Sequence, residues 1–259
     1  MFDALVSFRR RLAAGEILIG SGVTLADPLV SEALADSVDY LWIDLEHMAL
    51  SPESLRAHLL AARSKSTPAL VRVAGGGSAA VKPVLDAGAH GIVVPQVRSV
   101  DEVRQLVSDC RYPPVGSRGM GAHIPTNYGR SGGPPYVERA NANILACVMI
   151  ETAEALEAID GIVAVPGLDV LIIGPWDLSG ALGVLGDVEH PRVVAAMKKV
   201  VAKARGAGLF VGSGMPVDPD FACAQARRGV QMLQIGGDCG YLVRCAEQIS
   251  SSVRGGIES

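Results

Sequence analysis

The chain has 259 residues, 49% apolar and 19% charged, with a formal charge of −4 at pH 7. That size suits a single large α/β domain, and an acidic balance with no basic run interleaved with aromatics excludes a nucleic-acid-binding surface. No apolar stretch is long enough to cross a bilayer. Cys110, Cys147, Cys223, Cys239 and Cys245, odd in number and without CxxC spacing, predict reduced thiols in a cytoplasmic protein.

In chain order, FDALVSFRRRLAAG carries Leu5, Phe8 and Leu12 at helical spacing and stops at Gly15, which predicts an N-terminal lid helix. No apolar run follows Arg9, Arg10 and Arg11, so neither signal peptide nor anchor is expected. ILIGSGVT then reads as a strand and ADPLVSEALADS as a helix. The alternation continues through YLWIDLEH with SPESLRAHLLAARSKS, PALVRVA with GSAAVKPVLDAG, and GIVVPQV with SVDEVRQLVSDC. LACVMIET pairs with AEALEAIDGIVAV, LDVLIIGPWD with HPRVVAAMKKVVAKARGAG, LFVGSGM with PDFACAQARRG, and MLQIGG with the last helix.

About eight strand and helix pairs result, and the strands are continuous apolar runs, as burial on both faces of a parallel sheet requires. The predicted architecture is one (β/α)8 TIM barrel over residues 1–259 with an additional N-terminal helix. Ser51 and Ser99 mark helix starts; Gly88, Gly208 and Gly229 mark stops. One long connection, about residues 111–140, separates the fourth helix from the fifth strand and holds Arg118, His123 and Arg130.

Catalytic groups of such barrels sit at the carboxyl ends of the strands. Those positions carry Asp44, Glu46 and His47 after the second strand, Arg72 on the third, Gln96 on the fourth, Glu151 on the fifth, Asp177 after the sixth, Ser213 on the seventh and Asp238 after the eighth. Glu151 and Asp177, on neighbouring parallel strands, read as two oxygen ligands for a hard divalent ion such as Mg²⁺ or Mn²⁺. Such an ion polarises the ketone of a 2-oxo acid; Arg72 suits the substrate carboxylate, and His47, oriented by Asp44 or Asp86, suits proton transfer.

Each residue also has a plainer role. Glu151 can be a first-turn acid and Asp177 an N-cap, while Arg72 can be a salt-bridge partner of Asp44 or Glu46. Lys65, Lys82, Lys198, Lys199 and Lys203 lie on predicted helices, so no strand end offers an imine-forming lysine.

On these residues the sequence resembles the HpcH/HpaI aldolases, metal-dependent class II pyruvate aldolases that include the 2-keto-3-deoxy sugar acid aldolases. The resemblance covers nearly the whole chain and rests on IDLEH with His47, LVRV with Arg72, VLDAGAHGIVVPQV with Asp86, YPPVGSRGMG with Arg118, MIET with Glu151 and GPWDLS with Asp177. It implies a (β/α)8 barrel with Glu151 and Asp177 as ligands to Mg²⁺, Mn²⁺ or Co²⁺. Arg72 would bind the pyruvate moiety, and His47 with Asp86 would form an acid–base dyad.

Gly174 and Pro175 would line the oxo acid site through their backbone, with Trp176, Gln96, Arg118 and Ser213 as further substrate contacts. The implied reaction makes or cleaves 4-hydroxy-2-oxo acids through a metal-stabilised enolate of pyruvate or hydroxypyruvate and an aldehyde. A 2-oxo acid decarboxylase, a citramalyl-CoA-type lyase and a non-catalytic oxo-acid-binding barrel are the alternatives. The resemblance also implies assembly as a hexamer, common among family members, with the last helix exchanged between neighbours. Met149 stands where sugar acid aldolases carry Gln, Trp176 where a small residue is common, and Gly22 where some members carry an aromatic, which predicts a reshaped pocket with a wider opening at the first strand.

Overall fold

The computed structural model describes residues 2–258. Its elements run α1 (Phe2–Ala13), β1 (Leu18–Val23), α2 (Leu29–Ala35), β2 (Tyr40–Asp44), α3 (Pro52–Ser64), β3 (Ala69–Arg72), α4 (Ser78–Ala87), β4 (Gly91–Val94) and α5 (Val100–Cys110). They continue as α6 (Pro134–Asn143), β5 (Leu145–Ile150), α7 (Ala153–Glu157), α8 (Ile159–Val163), β6 (Val170–Ile173), α9 (Pro175–Ala181), α10 (Pro191–Gly206), β7 (Phe210–Met215), α11 (Pro219–Arg227), β8 (Met232–Gly237) and α12 (Asp238–Glu258). The strands pair in sequence order into a closed barrel, every pair parallel, as the run of apolar segments predicts. No helix among the described residues is long and apolar enough to cross a membrane.

Every residue of β2, β4, β5 and β6 is buried, because barrel side chains point either to the axis or under the helical shell. One layer of the interior is filled by Tyr40, whose ring occupies the space that a Cβ at Gly20 would need. The β1–β8 seam pairs Gly20 with Gln234 but Gly22 with Gly237, so β8 carries one extra residue, with Gly236 at φ 62°. α12 begins at the residue after β8, with no intervening loop.

The N-terminal helix does act as a lid, on the floor of the barrel. Arg9 Nη1 reaches Asp169 Oδ1 at 2.8 Å, Arg11 Nη1 reaches Asp39 Oδ1 at 2.6 Å, and Gln231 Nε2 donates to the Leu12 carbonyl at 2.7 Å. Asp169, Asp39 and Gln231 all precede strands, so α1 lies across the strand N-termini, with Phe8 against Tyr40 at 5.6 Å between ring centroids.

Three local differences from the sequence reading concern helices. The long connection folds its last part into α6, started by Pro134 and Pro135 after Gly133 at φ 77°. The expected fifth-strand helix is split into α7 and α8. The segment after β6 forms an extra helix, α9, with Pro175 at its start.

Candidate active site

Asp44 and Arg72 are register partners on β2 and β3, and their side chains meet as a two-pronged pair: Arg72 Nε and Nη2 donate to Asp44 Oδ1 and Oδ2 at 3.0 and 2.8 Å. The third nitrogen, Nη1, lies 3.0 Å from Glu46 Oε2 and faces Met149, and the guanidinium carbon sits 5.8 Å from the Trp42 ring centre. Burial acts against charge on Asp44, but the guanidinium and the backbone N–H groups of Glu46 and His47 outweigh it, so its carboxyl titrates below the ordinary range. The plainer reading of Arg72 thus holds without removing the other, since a fork fixed along one edge is preorganised to present the other to a ligand.

Ile150 of β5 and Ile173 of β6 are register partners, so the next residues, Glu151 and Gly174, leave the barrel side by side. Glu151 is 2% exposed, and its Oε1 accepts from the backbone N–H of Gln96 at 2.8 Å and from Gln96 Nε2 at 3.2 Å. Gln96 holds this position at φ 54°, a left-handed conformation uncommon outside glycine.

Glu151 Oε2 has no hydrogen-bond partner although it is buried, and a Cβ at Gly174 would overlap it. Burial pushes the Glu151 carboxyl up to about 7 against the pull of the Gln96 N–H, and the negative charges of Asp177 and Glu46 add to the shift. Burial likewise raises Glu46, which Arg72 and His47 only partly offset. Thr152, not Glu151, caps α7, while Asp177 stands in the first turn of α9 behind Gly174.

Four carboxylates therefore face one guanidinium at this mouth. An open, buried carboxylate oxygen beside a second acid fits a hard divalent cation, and the glycine beneath keeps the space clear. No set of three or more His, Cys, Asp or Glu forms a cage among the described residues, so water and substrate would complete the shell. Asp177 lines two adjoining cavities. One of about 320 Å³ is walled by Trp42, Arg72, Met149, Gly174 and Trp176; the other, of about 370 Å³, is walled by Gln96, Glu151 and Leu185. A larger cavity of about 640 Å³, bounded by Phe2, Tyr136 and Arg139, holds none of these groups.

Glu151, Asp177, Arg72, Gln96, Gly174, Pro175 and Trp176 thus gather at one mouth. His47 stands at its rim, its side chain 65% exposed and Nε2 3.7 Å from Glu46 Oε2. No hydrogen bond or ion pair joins it to Asp86 among the described residues, where Asp86 pairs with Arg118 Nη2 at 2.7 Å. Arg118, expected on the substrate, is itself fully buried, its guanidinium 4.5 Å from the Tyr112 ring centre, and pins the long connection to α4.

Ser213 also misses the cavity. Gly212 and Gly214 face the axis, where a Cβ would meet Ile172 and Gln234, so the intervening Ser213 points outward and is buried. At Gly22 a Cβ would lie 2.9 Å from the Gly236 carbonyl and 3.1 Å from Gln234 Nε2, and the residue lines a cavity of about 250 Å³ with Trp42 and Arg72. Gln234 is the residue sequence reasoning missed, and its signal was a lone amide inside the apolar strand MLQIGG.

The HpcH/HpaI aldolase/citrate lyase family model matches residues 23–245. The chain is 35% identical over 243 residues to a hydroxypyruvate/pyruvate aldolase of Roseovarius nubinhibens, covering 93% of this chain and 94% of that one. It is 33% identical to a 4-hydroxy-2-oxo-heptane-1,7-dioate aldolase of Salmonella paratyphi C, covering 97% and 95%. A solved HpcH/HpaI aldolase from Desulfitobacterium hafniense superposes with a TM-score of 0.88 at 32% identity, covering 95% and 96%. With sequence and fold matched over almost their full lengths, the chain belongs to the HpcH/HpaI aldolase/citrate lyase family.

Proposed function

We propose that this protein is a metal-dependent class II aldolase that joins pyruvate or hydroxypyruvate to an aldehyde, and cleaves the resulting 4-hydroxy-2-oxo acid. The observation that carries this reading is the unpartnered, buried Oε2 of Glu151 beside Asp177, facing the same cavity mouth as Arg72. Glu151 and Asp177 hold Mg²⁺, Mn²⁺ or Co²⁺, which when bound supplies Lewis acidity to the substrate ketone. Arg72 Nη1 takes the substrate carboxylate while Asp44 holds the opposite edge of the fork. Gly174 and Pro175 bring backbone close to the oxo acid, Trp176 walls it, and Gln96 keeps Glu151 in place.

His47 moves the proton at the C4 hydroxyl. Its expected partner Asp86 is paired with Arg118 in the same chain, and a dyad completed by a neighbouring subunit is the arrangement this reading proposes. That agrees with assembly as a hexamer that exchanges α12, whose Leu242, Ile249 and Val253 are 61%, 58% and 56% exposed. Five free cysteines suit the cytoplasm.

The test offers pyruvate and hydroxypyruvate with a panel of aldehydes in Mg²⁺ and Mn²⁺. Carbon–carbon bond formation should cease in EDTA, return with the cation, and be absent in Glu151→Ala and Asp177→Ala. Full turnover in EDTA would overturn the assignment.

A further inference from the structure

Two chambers meet at Arg72: the one of about 320 Å³ already described, and a second of about 250 Å³ running toward Thr24, Asp238 and Cys239. Trp42, Arg72, Met215 and Gln234 line both, so Gln234 carries a polar side chain at their junction, in a lining that also includes the apolar Trp42 and, in the first, Met149. The amide is anchored at one end. Its Nε2 donates to the Gly236 carbonyl at the β8 bulge, and no hydrogen bond is made to its Oε1 among the described residues.

Both neighbouring strands are cleared for it: a Cβ at Gly214 would stand 2.9 Å from Oε1, and one at Gly22 3.1 Å from Nε2. A half-buried amide anchored through its nitrogen, with glycines on either side, presents one carbonyl oxygen to whatever enters beside Arg72.

We infer that Gln234 Oε1 is the acceptor for a hydroxyl on the 2-oxo acid and sets the preference for hydroxypyruvate over pyruvate. This rests on the aldolase reading for its substrates. Pyruvate and hydroxypyruvate share the carboxylate held by Arg72 and the ketone; they differ by one hydroxyl. A site that hydrogen-bonds a substrate hydroxyl penalises the analogue lacking it, since the protein acceptor is then left unpaired, whereas apolar walls such as Met149 and Trp42 discriminate weakly.

The experiment measures dissociation constants of both acids by calorimetry on the Mg²⁺-loaded protein without aldehyde, then kcat/KM for both with one aldehyde. The proteins compared are the unaltered chain, Gln234→Leu and Gly214→Ala, the last because its methyl group would crowd Oε1. Each ratio comes from one protein sample, so a lower folded fraction cancels. Both variants should lower the hydroxypyruvate-to-pyruvate preference about tenfold in binding and in kcat/KM. An unchanged ratio in Gln234→Leu overturns the inference. An unaltered protein that binds both acids but joins neither to an aldehyde sinks the aldolase reading while the binding ratio still decides the role of Gln234; one that binds neither overturns both.

Discussion

At the scale of single residues, the mouth is organised by what glycine leaves out. Gly174 has no steric alternative, because Glu151 Oε2 occupies the volume of its missing Cβ and Met149 Cε lies 3.2 Å from the same point. Gly174→Ala should therefore displace the carboxylate and weaken Mn²⁺ binding at least about tenfold, read by calorimetry, with the barrel still folded by circular dichroism.

Glu151 also makes a pH signature. Its folded-state value of about 7 exceeds the ordinary 4.5, so ionising it opposes folding. In EDTA, its contribution is fully favourable below about pH 4.5 and is lost as pH rises to about 7. Glu151→Gln should remove that loss, worth on the order of 3 kcal/mol, and the cation-free variant should outlast the parent in urea at pH 8 but not at pH 4. A cation binds the ionised form, so Mg²⁺ should narrow the difference at pH 8.

At the scale of elements, the eight strands were legible because burial on both faces leaves no room for polar alternation, and their carboxyl ends named Glu151, Asp177 and Arg72 directly. α6 and α9 were not, since each begins at a Gly-Pro step that in sequence reads as a loop or a strand end. Direction across a strand was hidden as well. Ser213 and Gln234 both look like polar residues in apolar strands, and only the register, with Gly212 and Gly214 toward the axis, turns one outward and the other in.

The lid helix was foreseen as a helix, but not its end of the barrel, which depends on ion pairs to Asp169 and Asp39 far along the chain. Because α1 seals the floor, Phe8→Ala should destabilise the fold by about 3 kcal/mol in denaturant melts while leaving KM for the oxo acid unaltered.

At the scale of the whole molecule, one chain brings the proposed ligands Glu151 and Asp177 and the Arg72 fork to one mouth but leaves the proposed proton relay unmade, with His47 open at the rim and Asp86 paired with Arg118. If neighbours complete it, neither His47→Ala nor Asp86→Ala oligomers should turn over alone. Co-expressed, the two variants should regain a measurable fraction of activity, because mixed assemblies contain sites with both intact residues. No recovery in verified mixed oligomers would count against shared sites.

The extra residue in β8 bears on how the last helix leaves the barrel. It lies at the β1–β8 pairing that closes the barrel and immediately upstream of α12, so the same irregularity whose Gly236 carbonyl anchors the Gln234 amide also sets where that helix begins. Ring closure and the departure of the last helix are thereby geared together. On the proposed roles of α12 and Gln234, changes that tidy this join would be felt first in how many copies associate and which oxo acid they admit, before the proposed ligands Glu151 and Asp177 are affected.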